Sequence, residues 1–256
     1  KPPAQQAQEI GPVLNKLRSF LLRPSLRATL GQSSPGFDLA DLFDPLKHPV
    51  VIVSTNKGLL GPETSRLLAS LVISQLWPLI LARAAVPESR RRFVPIYLDE
   101  VQDLLGAIPG DLADALAMSR SLGVSWTLAH QYRKQLSPSM QAAIDANARS
   151  KIYFGLESQD ADTMAKTIPE LDSQDLRRLP RFHAYANLLQ AGHPSGWMSI
   201  TTTPASPAVS DPAALKAASE ARYGQPAEQT EQAVLRLIQP PTSGTDSGPI
   251  GRKARS

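Results

Sequence analysis

Phe93-Val94-Pro95-Ile96-Tyr97-Leu98-Asp99-Glu100 is the stretch on which the fold turns. Its apolar part reads as a buried strand, and the chain leaves that strand through two adjacent carboxylates. Downstream, apolar runs alternate with helical periods. A helix is predicted over 111–122, a strand over 124–129, a helix over 135–147 and a strand over 151–155. Gly123 stands where a helix C-cap belongs, immediately before an apolar run. Such alternation argues for an α/β fold, a parallel sheet with flanking helices. In a parallel sheet the C-terminal strand ends open onto the ligand crevice, which directs attention to Asp99 and Glu100.

Upstream, Val50-Val51-Ile52-Val53 is a β-branched run that predicts another buried strand, leaving through the polar turn Ser54–Gly58. Gly61-Pro62 then starts a long helix to about Val86, with Pro in the first turn, where its missing N–H does least harm. Ile10, Val13, Leu14, Leu17 and Leu21 recur at helical spacing, so an amphipathic helix is predicted over 4–22, ended by Pro24 and followed by an irregular segment. Past the third strand, helices are predicted over 160–167 and 172–178, then a hairpin of 184–190 with 197–203 turned at Gly192–Gly196. Asp211 caps a helix to about Tyr223, another runs over 227–238, and the Pro/Gly/Ser-rich basic end, 239–256, is expected to be disordered. The expected organisation is a helical lead-in over 1–48, the α/β part over 49–205, a helical appendage over 206–238 and the tail.

Composition narrows the chemistry. The 256 residues contain no cysteine, which excludes disulfides, a zinc ribbon and a thiol nucleophile. His48, His130, His183 and His193 show no ligand spacing, and no Gly-x-Ser-x-Gly elbow marks a serine hydrolase. The net charge of +4 permits nucleic-acid contact without requiring it; Arg120, Arg133 and Lys134 flank strand ends and are candidates, as well as ordinary solvated charges. The apolar stretch from Leu67 to Ala82 is shorter than the ~20 residues of a bilayer span and reads as a buried helix. Trp77, Trp126 and Trp197 fall in apolar runs and read as core residues rather than base-stacking platforms.

An apolar strand ending in Asp-Glu is the Walker B pattern, although such a strand end is more often a plain terminus. In the first reading Asp99 holds Mg²⁺ through its water shell and Glu100 polarises the water that attacks a γ-phosphate. The next strand ends in His130-Gln131, so Gln131 comes beside the carboxylates if the two strands are neighbours, able to bond phosphate or attacking water; a polar strand cap is the bland alternative. Arg149 and Lys151 precede the third strand, where cations either reach a neighbouring subunit's nucleotide or merely flank the strand.

Taken in series, Asp99-Glu100-Val-Gln102, Ser119-Arg120-Ser-Leu-Gly123, Thr127-Leu-Ala-His130-Gln131 and Asn147 through Lys151-Ile-Tyr-Phe154, with Asp160 downstream, resemble the TraG/TraD-like coupling proteins of type IV secretion systems. These belong with the FtsK and HerA translocases, ring-forming motors of RecA-like fold, and the resemblance covers about residues 10–205. It implies a RecA-like sheet, ATP and Mg²⁺ as cofactors, DNA as cargo, a homo-hexamer, and a relaxase or relaxosome and secretion channel proteins as partners. It also implies a cytoplasmic place at the inner face of the membrane, which the protein would touch only through an N-terminal region not in this sequence. On the matching positions, Asp99 and Glu100 are the Walker B pair, Gln131 is the sensor glutamine, and Lys151 stands where related motors carry a trans-acting arginine. Lysine lacks the planar fork of arginine, so Arg149 is the alternative for that role.

One departure limits what the chain can do alone. It has no Gly-x-x-x-x-Gly-Lys-Ser/Thr and no Gly-Lys pair, so the β- and γ-phosphates lack a cradle. The resemblance puts that loop upstream, and this chain by itself is expected to bind ATP poorly. Two alternatives remain: a non-catalytic DNA- or partner-binding module on a degenerate ATPase fold, and a HerA-like or secretion-assembly ATPase.

Overall fold

The computed structural model describes residues 10–11, 23–32, 34, 36–104 and 112–238. The helix predicted over 4–22, but for Ile10 and Gly11, and the tail 239–256 lie outside them. In chain order the elements are α1 (Pro24–Leu30), α2 (Lys57–Leu60), α3 (Pro62–Ala82), β1 (Val94–Leu98), α4 (Leu112–Ser121), β2 (Val124–Leu128), α5 (Pro138–Asn147), β3 (Lys151–Tyr153), α6 (Ser158–Ala165), α7 (Ser173–Arg177), β4 (His183–Asn187), β5 (Leu189–Gln190), β6 (His193–Pro194), β7 (Met198–Thr201), α8 (Pro212–Tyr223) and α9 (Ala227–Ile238), with short 3₁₀ turns between them. They form two compact units: residues 38–209, and the segments 1–37 and 210–256.

In the unit of residues 38–209, β1 and β2 pair in parallel, Val94 opposite Val124 and Leu98 opposite Leu128. Ile73, Leu76, Trp77 and Ile80 of α3 pack with Val94 and Leu98 of β1, with Val101 and with Ala115 and Leu122. Among the described residues α3 and the turn after it are long and apolar enough to cross a membrane. Those four residues are nevertheless buried in this core, the place the sequence reading gave them. Ser119 is buried too, its Oγ donating to the Ala115 carbonyl at 2.6 Å and accepting from Trp126 Nε1 at 2.8 Å, which ties α4 to β2.

The end of the strand pair opposite the carboxylates is held by Arg83, 4 % exposed. Its Nε donates to the Leu122 carbonyl and its Nη2 to the Arg92 carbonyl, while the guanidinium lies 4.8 Å from the Phe43 ring centroid. Burial, and then the neighbouring Arg91, pulls its pKa below the ordinary arginine value. Gly123, between these carbonyls, has φ +72°, and a Cβ there would come within 2.9 Å of Arg83 Nη2. The predicted C-cap glycine is therefore required both by conformation and by close approach.

Three local expectations are corrected. The run Val50–Val53 forms no strand: no described strand pairs with it, and Val50 and Ile52 are each 88 % exposed. β-branched residues fit a pleated surface only where neighbours supply the ladder and the packing. The irregular segment expected after Pro24 begins instead as α1, with Pro24 in its first turn, where its fixed φ is already helical. The third strand does not continue the parallel sheet. β3 pairs antiparallel with β4, Lys151 opposite Asn187, and β4 pairs antiparallel with β7. Its sequence carries the reason: Lys151 and Tyr153 alternate with the exposed Ile152, whereas strands covered on both faces of a parallel sheet are apolar throughout. The predicted hairpin is present as β4 and β7, with β5 and β6 paired inside it. Beneath it Ala161, Met164, Ile168 and Leu176 form a second small core, against which Tyr153 and Trp197 stack on each other at 5.3 Å.

In the other unit α1 packs on α9. Gly31 permits the contact, since a Cβ would meet Val234 Cγ2 at 2.6 Å, and Arg27 pairs with Glu231 at 2.5 Å. Asp211 caps α8 as predicted, its Oδ1 accepting from Ala213 N at 2.9 Å.

Candidate functional site

The two strand ends lie side by side. The ladder runs one step past β1 and β2: Ala129 N donates to the Leu98 carbonyl at 2.9 Å and Val101 N to the Ala129 carbonyl at 3.0 Å. Between those bonds Asp99 and Glu100 leave the sheet. Asp99 Oδ1 accepts the Glu100 N–H at 2.9 Å, and Glu100 has left-handed backbone, φ 49° and ψ 48°. A non-glycine residue held there costs on the order of 1 kcal/mol, a strain typical of functional turns. Val101, with no exposure, plugs into the core directly beneath and anchors the turn.

Both carboxylates line a cavity of about 410 Å³ that also takes in Asn56, Lys57, Arg66 and Asp103. Lys57 was not anticipated from sequence. Asn56 caps α2, its Oδ1 accepting from Gly58 N at 2.8 Å and Leu59 N at 3.2 Å, and so fixes the backbone of Lys57. Lys57 Nζ then reaches Glu100 Oε2 in a short contact and Asp103 Oδ2 at 2.7 Å. Arg66 Nη2 lies 3.4 Å from Asp103 Oδ1. The bond to Asp103, and next that to Glu100, raises the Lys57 pKa; reciprocally Lys57, against some burial, holds the Asp103 carboxyl below its ordinary value. The only signals for Lys57 in the sequence were its polar turn and an Asn-Lys-Gly run, neither of which names a partner 43 residues away.

Gln131 follows two residues beyond Ala129, outside the lining of this cavity. Its backbone N–H and that of Tyr132 donate to Gln135 Oε1 at 3.3 and 3.2 Å. The next residue secures the segment: Arg133 N donates to the buried Asp160 at 2.8 Å, and its guanidinium grips Asp145 at 3.0 and 2.6 Å. Arg133 is thus committed inside the protein rather than held out as a solvated DNA contact. Burial is the main cause that lowers the pKa of the neighbouring His130.

Arg149 and Lys151 line a second cavity, of about 310 Å³, with Asp145, Tyr153, Asn187 and Trp197. Lys151 Nζ donates to the Asp145 carbonyl at 3.3 Å and Arg149 Nη2 to the Gly192 carbonyl at 3.4 Å. The structure therefore gathers Asp99 and Glu100 into one cavity and Arg149 and Lys151 into another, with Gln131 in the lining of neither.

Among the described residues no group of three or more His, Asp or Glu side chains can enclose a metal ion. The donors at the first cavity nevertheless suit Mg²⁺, which keeps several waters and takes one or two carboxylates together with ligand phosphates. Asp99 is exposed and spends one oxygen on the Glu100 N–H, which leaves the other for such a water shell.

No family model matches the chain, and no curated protein sequence matches it. Solved structures do. The plasmid coupling protein TrwB in complex with ADP and Mg²⁺ superposes with a TM-score of 0.54 at 19 % identity over 69 % of this chain and 45 % of that one. TrwB in complex with the non-hydrolysable GTP analogue GDPNP gives 0.49 at 18 % identity, over 64 % and 43 %. The chain thus spans a little under half the length of the TrwB chains it matches. At this identity the likeness establishes a shared fold. The α/β, RecA-like architecture expected from the sequence, and its resemblance to the conjugative coupling proteins, are borne out at that level.

Proposed function

We propose that this chain supplies the Walker B part of an ATP-hydrolysing site to a DNA-translocating coupling protein. The observation that carries the reading is the tip of the parallel strand pair, where Asp99 and Glu100 leave the sheet together into a cavity that also holds two cations. The shared fold with a protein crystallised with ADP and Mg²⁺ supports it.

Asp99 orients the water shell of the metal, and Glu100 accepts the proton of the attacking water. Mg²⁺, when bound with ATP, neutralises charge on the β- and γ-phosphates. Gln131, on the loop after the neighbouring strand, senses the γ-phosphate. Lys151, or Arg149 beside it, acts in trans on the nucleotide of the next protomer of a homo-hexameric ring, where a cation stabilises developing charge. The phosphate cradle comes from a part of the protein outside this sequence. Residues 49–205 form the motor part and 206–238 an appendage to it. DNA is the cargo, a relaxase or relaxosome and the secretion channel are the partners, and the work is done in the cytoplasm at the inner face of the membrane.

A second reading, a non-catalytic DNA- or partner-binding module on a decayed ATPase fold, is favoured by one observation: Glu100, which must act as a base, is ion-paired to Lys57. The two readings separate in a protein that carries both this chain and a phosphate-binding loop. Glu100→Gln there is expected to keep nucleotide binding and to lower steady-state ATP turnover at least ~100-fold, the usual loss when a general base is removed. Turnover at the unsubstituted rate rejects the hydrolytic role.

A further inference from the structure

We infer that Lys57 is an exchangeable cation, pairing with Glu100 or with the phosphate chain of a polyphosphate ligand in the first cavity, so that phosphate binding releases the carboxylate. The inference rests on the reading of that cavity as a nucleotide site and assigns it a phosphate-binding residue and a coupling step.

Three observations carry it. The first is an asymmetry of partners. Asp103 is served by two cations, Lys57 at 2.7 Å and Arg66 at 3.4 Å, whereas among the described residues Lys57 is the cation that pairs with Glu100. If Lys57 turns away, Asp103 keeps Arg66 and only Glu100 is freed. The second is placement. The cap made by Asn56 fixes the Lys57 backbone, while its side chain is 45 % exposed on the cavity wall, free to swing about its own stem. The third is the weight of the bond to be broken. The Glu100 side chain is 40 % exposed, and an exposed ion pair is worth at most about 1 kcal/mol. A polyphosphate, with several charges on adjacent oxygens, outcompetes one carboxylate for the same ammonium.

The charged groups that face this exchange are Asp99 and Glu100 after β1, Asp103 on the following turn, Lys57 on α2 and Arg66 on α3. Glu63 also reaches Arg66, at 3.7 Å. Glu100 itself is held in place at the backbone by Asp99 and by the left-handed turn, so loss of Lys57 frees its carboxylate without moving its Cα. Lys57 is in this sense a positioning residue for Glu100 as well as a ligand for phosphate.

A double-mutant cycle in the protein that carries both this chain and a phosphate-binding loop tests it, with inorganic triphosphate as the probe, no divalent metal, and calorimetry as the readout. Lys57→Met is expected to weaken binding about threefold or more. Glu100→Gln is expected to tighten it by about threefold, because Lys57 no longer has a competing partner. In the Lys57→Met background the Glu100→Gln change is expected to tighten binding less, because only the repulsion between carboxylate and phosphate is then relieved. Equal tightening in both backgrounds overturns the exchange, since it reduces to general repulsion between carboxylate and phosphate. Unchanged affinity in Lys57→Met, or no measurable binding to the unsubstituted protein, overturns it as well. Thermal melts of the four proteins establish that all are folded. The outcome is separable from the turnover test. An additive cycle together with lost turnover removes the exchange alone, and a non-additive cycle together with intact turnover removes the hydrolytic role alone.

Discussion

The two cavities of the residue 38–209 unit treat charge in opposite ways. Around Asp99 and Glu100 the cations belong to the chain's own carboxylates: Lys57 bridges Glu100 and Asp103, and Arg66 supports Asp103. Around β3 the cations are left over. Among the described residues, Arg149 and Lys151 donate to carbonyl oxygens at 3.3–3.4 Å, while Arg133 occupies the nearby Asp145 carboxylate. A cavity whose two cations are already taken by three carboxylates must break a bond to receive an anion, whereas a cavity with cations in excess attracts one directly. That contrast matches the division of labour proposed for them, a cis site whose base is held in check and a trans site offering positive charge to a neighbour.

The contrast is sharpened first by asking whether the two regions stand or fall together. Ile80→Ala in the core behind the first cavity and Leu176→Ala in the core behind the second each remove a side chain with no exposure. Each is expected to lower stability by about 2–5 kcal/mol. Because both cores lie in one compact unit, urea denaturation followed by the fluorescence of Trp77, Trp126 and Trp197, all three in that unit, should give a single shifted transition in either variant; two separate transitions would break the view of the cavities as parts of one body. Next in size is Gly123→Ala, expected to cost about 1–2 kcal/mol through its positive φ and the approach of Arg83, again by urea denaturation.

The smallest effect concerns the second cavity. The hydrogen bond from Arg133, against some burial, holds the Asp145 carboxyl below its ordinary value. A depressed carboxylate contributes stability above its unfolded pKa, about 4, and that contribution is lost as pH falls through the folded value. Asp145→Asn should therefore cost less than about 1 kcal/mol near neutrality, since the Asp145 side chain is 39 % exposed, and the gap to the unsubstituted protein should close in acid below pH ~4. A gap of constant size down to pH ~2 breaks the assignment of the charge.

What the sequence disclosed and what it withheld divide along physical lines. Pro62 at a helix start, Gly123 at a helix end, the Asp211 cap and the strands that became β1 and β2 are local signals, written in a few adjacent residues. The Asp99-Glu100 tip was legible for the same reason, because strand and carboxylates are contiguous. The losses are of things decided elsewhere in the chain. Val50–Val53 has strand propensity but no described partner to pair with. Pro24 can stop one helix or start another, and its own fixed φ serves both. β3 chose the hairpin over the parallel sheet, and the Lys57 contact with Glu100 joins two segments that no local rule connects.

Arg83 has one more consequence. Arg92 and Leu122, whose carbonyls it grips, each stand two residues before the first rung of the ladder, Val94 opposite Val124. A single guanidinium therefore gives both strands a common zero from which their lengths are counted. Asp99 and Ala129 each lie five residues past that first rung, and so arrive at the far edge in step.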